Sequence, residues 1–396
     1  MQEPRAVPVL DYYDEKYRRD PHRVLREARR ESALTTDVLG TRVLLRYHDV
    51  AAAFHDPAFG APDTPAGRLG ITDGPFLEWN RNNLLGLDSP EHTAVRAVVA
   101  RAFTARELRA IQPRIDLAAS TFVDAAIEAR RIEGIGALAF RVPVAVLCDL
   151  LGVPSELADQ LGAWARALLP FDRGGQDAAD RAVVELDAFV SEQLAERARQ
   201  PRADLLTLLA QAQQSGTVSA ADVRNLSILL IMAGHETTKN LIGNALYHLA
   251  MHPEQWAALR AEPHLVDNAV EEVLRYESPT SGVSRRLREV RDYEGVSIGV
   301  GEPVFLQVQS ANRDERAMAS ADRFDVTRHE PRHLTFGAGA HFCVGALLAR
   351  LETRAVLARL VSVARELELD TSATRVEWIP SLAFRGLRSL PLRIVA

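Results

Sequence analysis

The sequence predicts a mainly α fold: a single large α-rich domain, residues 1–396, with small β-sheets. Three observations carry this. Helix signals dominate the chain, and one run, Val218 to His252, keeps helical character for about thirty residues, or roughly 45 to 50 Å at 1.5 Å per residue. Strand-like patterns are short and confined to Thr41 to Tyr47, the region after Pro279, and Trp378 to Val395. No Gly/Ser linker, charge block, low-complexity tract or internal repeat divides the 396 residues, although that length alone suggests two or three domains.

Composition narrows the class. With 47% hydrophobic and 25% charged residues the chain can bury a sizeable core. A net charge of -6 argues against a nucleic-acid partner, whose binding surface is strongly basic. Cys148 and Cys343 are the only cysteines, which supports no disulfide framework and fits a reducing compartment. The first twenty residues hold no apolar run of signal or anchor length, so a soluble, cytoplasmic protein without a membrane partner is expected.

Taken in order, Asp20 and Pro21 start a polar amphipathic helix reaching Ser32, with Asp20 as N-cap and Pro21 at its first position. Thr41 to Tyr47 reads as a strand, and His48 to Phe54 as a short helix stopped before Pro57. Gly60 to Leu87 is rich in Gly and Pro yet carries many apolar residues, which must be buried against something. A helix begins near Asp88-Ser89-Pro90-Glu91-His92, and His92 and Arg96 share one face of it, where they suit a buried carboxylate. Further helices span Phe103 to Arg131, Leu138 to Leu151 and Ser155 to Leu169, with Cys148 as plain core.

Ser219 and Asp222 form a capping-box start for the long helix, and Pro253 stops it. Its apolar middle is interrupted by Gly234-His235-Glu236-Thr237-Thr238, where a charge, a glycine and two β-branched hydroxyls conflict with local helix preference. Such conflicts mark functional sites, and here the helical hydrogen-bond ladder is expected to open. Glu272 and Arg275 form an i,i+3 pair on the helix Asp267 to Tyr276. The helix after Cys343 runs to Arg365, and Trp378 to Val395 is a terminal hairpin with Leu382-Ala383-Phe384 at its tip.

The chemically distinctive stretch is Phe336-Gly337-Ala338-Gly339-Ala340-His341-Phe342-Cys343-Val344-Gly345. Cys343 stands at a loop-to-helix junction, where free backbone N–H groups and the helix dipole stabilise a thiolate. Gly337, Gly339 and Gly345 permit tight turns and close backbone approach to a flat, rigid group. Cys343 alone also reads as a small buried hydrophobe, and the spacing of His329, His333, His341 and Cys343 as a zinc site. A phosphate loop is less consistent, since the Lys-Ser/Thr ending is missing.

Taken whole, F-G-x-G-x-H-x-C-x-G resembles the haem-ligand loop of the cytochrome P-450 superfamily. Three other segments resemble that family in its own order: D-x-P-x-H-x-x-x-R from Asp88 to Arg96, A-G-x-E-T-T from Ala233 to Thr238, and E-x-x-R from Glu272 to Arg275. The resemblance implies the family's triangular α-rich fold and haem b, iron protoporphyrin IX, held without thioether bonds because no C-x-x-C-H is present. It makes Cys343 the iron ligand, with Phe336, Gly337, Gly345, Ala233 and Gly234 against the cofactor and His92, Arg96, Arg285 and His341 on its two propionates. Arg286 would exchange with Arg285 on a one-residue slip. Glu236 and Thr237 become the catalytic acid and alcohol at the dioxygen side, and Glu272, Arg275 and Arg323 a structural network behind the thiolate loop.

The resemblance further implies a monooxygenase that uses O2 to hydroxylate or epoxidise a medium-sized lipophilic compound, such as a terpenoid, steroid or polyketide, in secondary metabolism or catabolism. Its pocket would include Leu84, Leu85, Leu169, Leu229, Met232, His235, Val283 and Phe384. No flavin or nicotinamide fingerprint is present, so electrons are expected from NAD(P)H through a ferredoxin reductase and a ferredoxin. The docking face would carry Arg101, Arg106, Arg109, Arg350 and Arg354. A monomer is expected. A peroxide-driven or oxidative-coupling haem-thiolate enzyme is the enzymatic alternative, and a haem gas sensor the non-enzymatic one.

Overall fold

The structure, a computed structural model, describes residues 9–62, 70–169, 175–370, 372, 375–379, 381 and 383–396. Leu382, expected at the hairpin tip, and part of the Gly60 to Leu87 segment lie outside the described residues. The N-terminal region contains β1 (Val9–Leu10), α1 (Glu15–Arg19), α2 (Pro21–Glu31), β2 (Leu34–Asp37), β3 (Arg42–Leu44), α3 (Tyr47–His55) and β4 (Phe59–Gly60). Helix α2 starts as expected, with the Asp20 side chain accepting from the Arg23 N–H and Pro21 at the first turn. Far along the chain, β6 (Val283–Leu287) and β9 (Pro303–Leu306) complete a six-stranded sheet of order β1-β2-β3-β9-β6-β4. Strand alternation on β6 buries Arg285 and exposes Arg286, so the sheet decides which arginine points inward. A short hairpin of β7 (Arg291–Tyr293) and β8 (Val296–Ile298) sits between β6 and β9 in sequence.

The rest is mainly helical: α4 (Pro75–Asn82), α5 (Glu91–Ala100), α6 (Ala105–Ala129), α7 (Arg141–Leu151), α8 (Ala158–Ala167), α9 (Gln176–Arg199), α10 (Leu205–Gln214), α11 (Ala220–Met251), α12 (Pro253–Ala261), α13 (Val266–Tyr276), α14 (Val308–Ala311) and α15 (Ala346–Val363). Helices α9 and α10 have no counterpart in the sequence reading. The capping box at Ser219 and Asp222 is formed, each side chain serving the other's backbone N–H. Helix α11 then passes through the core and contributes Leu241 to Leu249 to one hydrophobic cluster and Val223 to Ile231 to another. It remains α-helical through 234–238, so the expected opening of its ladder does not occur.

A three-stranded sheet joins β10 (Glu366–Leu369), β13 (Pro391–Val395) and β5 (Arg131–Glu133), with β13 in the middle. The terminal hairpin is therefore shorter than expected. Only β11 (Glu377–Trp378) and β12 (Leu387–Ser389) pair as its arms, because β13 turns away to pair with β10 and β5. Its tip meets the segment before β6 through a bridge between Thr280 and Phe384 and an N–H of Ser281 donated to the Ala383 carbonyl at 2.8 Å. No helix among the described residues is long and apolar enough to cross a membrane.

Candidate active site

The loop ahead of α15 is folded by its own backbone. The Gly337 N–H donates to Leu334 O at 2.8 Å, and the Cys343 N–H donates back to Phe336 O at 2.9 Å, closing the loop on itself. Gly337 and Gly339 both have φ of +67°, which disfavours any side chain. A Cβ on Gly339 would lie 2.5 Å from Phe54 O, and one on Gly337 would press the Phe54 ring. These two glycines thus seat the loop on α3, a different reason from the close approach of a cofactor inferred from sequence. Gly345 differs, since a Cβ there would meet only the Cys343 Sγ, at 4.0 Å.

Cys343 is exposed at the loop tip. Dense surroundings push its thiol up, while the Gly345 N–H and then the charges of Arg96 and Arg350 pull it down. At Cys148 no cation offsets burial, and Asp149 adds to it. Cys148 is buried in α7, and burial drives its thiol up to about 11. The zinc arrangement is not formed, because His333 turns to Glu271 at 3.0 Å.

Four basic side chains converge beside Cys343. The His92 and His341 rings lie 4.2 Å apart between centroids, Arg96 donates to the Phe342 carbonyl, and among the described residues Arg285 hydrogen-bonds only to Ser284 O. Burial, then Arg285 and His92, lower the His341 imidazole to about 4, and burial and Arg96 lower His92. Among the described residues neither Arg96 nor Arg285 has a carboxylate in an ion pair. His92 is 2% exposed and its Nε2 has no partner. A buried orphan nitrogen among unpaired cations fits a ligand bearing carboxylates, as a haem does with its two propionates.

The Glu272–Arg275 pair is fully buried, with Arg275 donating to both carboxylate oxygens at 2.7 and 2.8 Å. The third member is Arg328, not Arg323. Arg328 Nε reaches both Glu272 oxygens at 3.3 and 3.2 Å, and its terminal nitrogens cap the carbonyls of Ala319, Ser320 and Arg323. Arg323 offers only that carbonyl, and its side chain is 68% exposed near Asp325. Asn312, not singled out from sequence, links this network to the thiolate loop by accepting from the Leu334 N–H at 2.7 Å and donating to Leu274 O and Thr335 Oγ1. Nothing in its sequence neighbourhood distinguishes it from an ordinary loop asparagine.

On α11, Thr237 Oγ1 donates to Ala233 O at 2.8 Å, so both mark one face of the helix. That face continues into Asn240, which abuts Gly386, and Asn244, which donates to Glu277 O and Arg385 O. Gly234 instead faces Leu147 of α7. Glu236 is buried and held by Lys239, a residue the sequence reading passed over because a lysine on a helix is ordinarily solvated.

The expected pocket residues are not all brought together. Val283, Phe384 and Met232 are all half-buried, and Phe384 bridges to Thr280, but Val283 packs against the cluster of the N-terminal sheet and Met232, like Ala233, against a helical one. Leu84 and Leu229 pack into the helical core, and Leu85 is 50% exposed. His235 is a correction. Two residues from Thr237, it points about 200° round the helix, packs edge-on to Phe140 and is fully buried. Leu169 lines a separate cavity with Phe140, Glu236 and Lys239. The basic docking face is also smaller than expected, since Arg350 pairs with Glu271 and Arg354 with Asp267. Arg101, Arg106 and Arg109 remain exposed, though Arg106 has Glu107 nearby.

Known proteins resemble the chain over most of its length. The family model "Cytochrome P450" matches residues 145–370. Cytochrome P450 107B1 of Saccharopolyspora erythraea is 35% identical over 401 residues, covering 98% of each chain. The vitamin D(3) 25-hydroxylase of Pseudonocardia autotrophica is 36% identical over 359 residues, 88% of this chain and 87% of that one. Among solved structures, CalO2 superposes with a TM-score of 0.91 at 29% identity, covering 98% of this chain and 99% of that one.

Proposed function

The chain belongs to the cytochrome P450 family and is a haem-dependent monooxygenase, and from that premise we propose that it hydroxylates a medium-sized lipophilic compound with electrons delivered by a ferredoxin. The observation that carries the reading of the site is the group of His92, Arg96, Arg285 and His341, cations and donors without carboxylate partners among the described residues, beside an exposed cysteine. Haem, when bound, supplies the activation of dioxygen, using two electrons and two protons, and the transfer of one oxygen atom to carbon.

The remaining roles belong to this chain's residues. Cys343 supplies the thiolate ligand, and the loop closure between Cys343 N–H and Phe336 O fixes its direction. His92, Arg96, Arg285 and His341 hold the two propionates. Thr237 presents its hydroxyl on the face shared with Ala233, and Glu236 moves protons toward it. The half-buried apolar residues Met232, Val283 and Phe384 support a lipophilic substrate, in keeping with a relative whose name is a vitamin D(3) hydroxylase. Exposed Arg101, Arg106 and Arg109 support an acidic electron donor such as a ferredoxin.

Turnover with NAD(P)H, a ferredoxin reductase and a ferredoxin tests this, using terpenoid, steroid and polyketide ligands first ranked by the shift they cause in the haem Soret band. Hydroxylated product carrying one atom from labelled O2 is expected. Product formed with peroxide but not with the ferredoxin system would favour the peroxide-driven alternative.

A further inference from the structure

Lys239 stands one turn after Glu236 on α11 and is only 5% exposed. A buried ammonium is costly unless paired, and its Nζ lies 2.5 Å from Glu236 Oε1. Among the described residues the second carboxylate oxygen, Oε2, is buried without a hydrogen-bond partner, and His235 Nδ1 lies 4.0 Å from it. Glu236 and Lys239 together form part of the wall of a cavity of about 460 Å3, closed elsewhere by Phe140 and Leu169 and by Ile379 and Leu387 of the terminal hairpin.

The cavity's other charged groups explain its direction. Glu133 is taken up by the backbone N–H groups of Ile135, Gly136 and Leu390, and Arg141 pairs with Asp159. Arg166 and Arg388 are exposed, so the cavity meets solvent at their side. A charged space of this size is roomy enough to hold water. It lies on the flank of α11 that carries Lys239 and His235, whereas Ala233 and Thr237 share another face. Lys239 fixes one oxygen of Glu236 where the residue borders the cavity, and the other oxygen is closed off from water.

We propose that Lys239 is a positioning residue that pins the Glu236 carboxylate in the wall of this cavity, so that solvent protons reach Glu236 through the cavity and not from the substrate side. The inference rests on the reading of Glu236 as the proton-relaying acid. A proton drawn from bulk solvent and relayed by water in the cavity protonates the Glu236 carboxylate; Glu236 passes it toward the Thr237 hydroxyl, which hands its own proton on to the reacting side, and the carboxylate is regained for the next turnover.

The test compares haem-loaded wild type, Lys239→Ala, Glu236→Gln and the double variant. Lys239→Ala should lower Tm by about 4 to 6 °C, because it leaves a buried carboxylate unpaired. It should slow turnover about tenfold or more with substrate affinity unchanged. In the Glu236→Gln background the same change should cost nothing further in either measurement. Ethylammonium, small enough to enter the cavity and replace the lost ammonium, should restore both Tm and turnover in Lys239→Ala and neither in the double variant. Additive losses, or no rescue by the amine, overturn the proposal. Should Lys239→Ala fail to hold haem, Lys239→Gln, which keeps an N–H toward Glu236, carries the same comparison. Unimpaired turnover of Glu236→Gln is a different result, since it removes the relay reading itself.

Discussion

Replacing Arg328 by alanine should destabilise the protein far more than replacing Arg323. Arg328 is 14% exposed and contacts both oxygens of a fully buried Glu272 as well as three carbonyls of the segment before the thiolate loop. Removal does not strip Glu272 of all its partners, because Arg275 and the Asp325 N–H remain. The loss therefore falls toward the lower end of the about 3 to 5 kcal/mol typical of breaking a buried pair, and we take about 3 kcal/mol. With an unfolding entropy of about 2.1 cal/mol/K per residue, that is roughly 4 °C in Tm for a chain of 396 residues. Arg323, exposed with Asp325 at 3.8 Å, should cost less than about 1 kcal/mol, or about 1 °C. Differential scanning calorimetry of the two haem-loaded variants decides the matter. Equal shifts, or a larger one for Arg323→Ala, would refute the assignment of Arg328 as the third member.

Arg96→Ala and Arg285→Ala should each weaken haem retention, measured as haem per protein after dilution and gel filtration, while Arg286→Ala, on the exposed side of β6, should be mild. Equal haem content in all three would count against the propionate assignment. Thr237→Ala should leave substrate binding intact but divert reducing equivalents to hydrogen peroxide, read as product and peroxide formed per NAD(P)H consumed; unchanged coupling would remove Thr237 from the chemistry. His235 supplies a pH prediction. Burial, then Lys239 and Arg166, lower its imidazole to about 3, so the unfolded chain binds a proton near pH 6.5 that the folded one refuses. Stability is thus fully present above pH 6.5 and falls as the pH drops toward 3. His235→Phe removes this loss, and at pH 5 it should recover about 2 kcal/mol relative to wild type, compared with each protein's own Tm at pH 7.5. An identical acid response in both proteins would show that His235 does not contribute.

Much of this fold was legible because its signals are local. Asp20 with Pro21, and Ser219 with Asp222, cap helices through side chains a few residues from the backbone groups they satisfy, so the boundaries of α2 and α11 follow from sequence. The loop around Cys343 was legible for the same reason, since its glycines and cysteine are consecutive. What was not legible depends on partners distant along the chain. Arg328 is chosen over Arg323 by the path of the segment around Ala319 and Ser320, and Arg285 over Arg286 by the pairing of β6 with β9. The role of Gly339 depends on a carbonyl in α3. His235 shares a motif with Glu236 and Thr237, yet helical rotation sends it to Phe140, and motif membership alone does not say which face a residue occupies. The final strand pairs with β10 and with β5, which follows α6 far earlier in the chain, an arrangement no hairpin pattern encodes.

The claim on which the rest depends is that the Cys343 thiolate binds the haem iron. The carbon-monoxide difference spectrum of the reduced protein measures this directly on wild type, Cys343→Ala and Cys148→Ala. Wild type and Cys148→Ala should show the long-wavelength band of a thiolate-ligated haem, because Cys148 is sealed in α7, and Cys343→Ala should lack it. A band that survives in Cys343→Ala, or is lost in Cys148→Ala, would contradict the account.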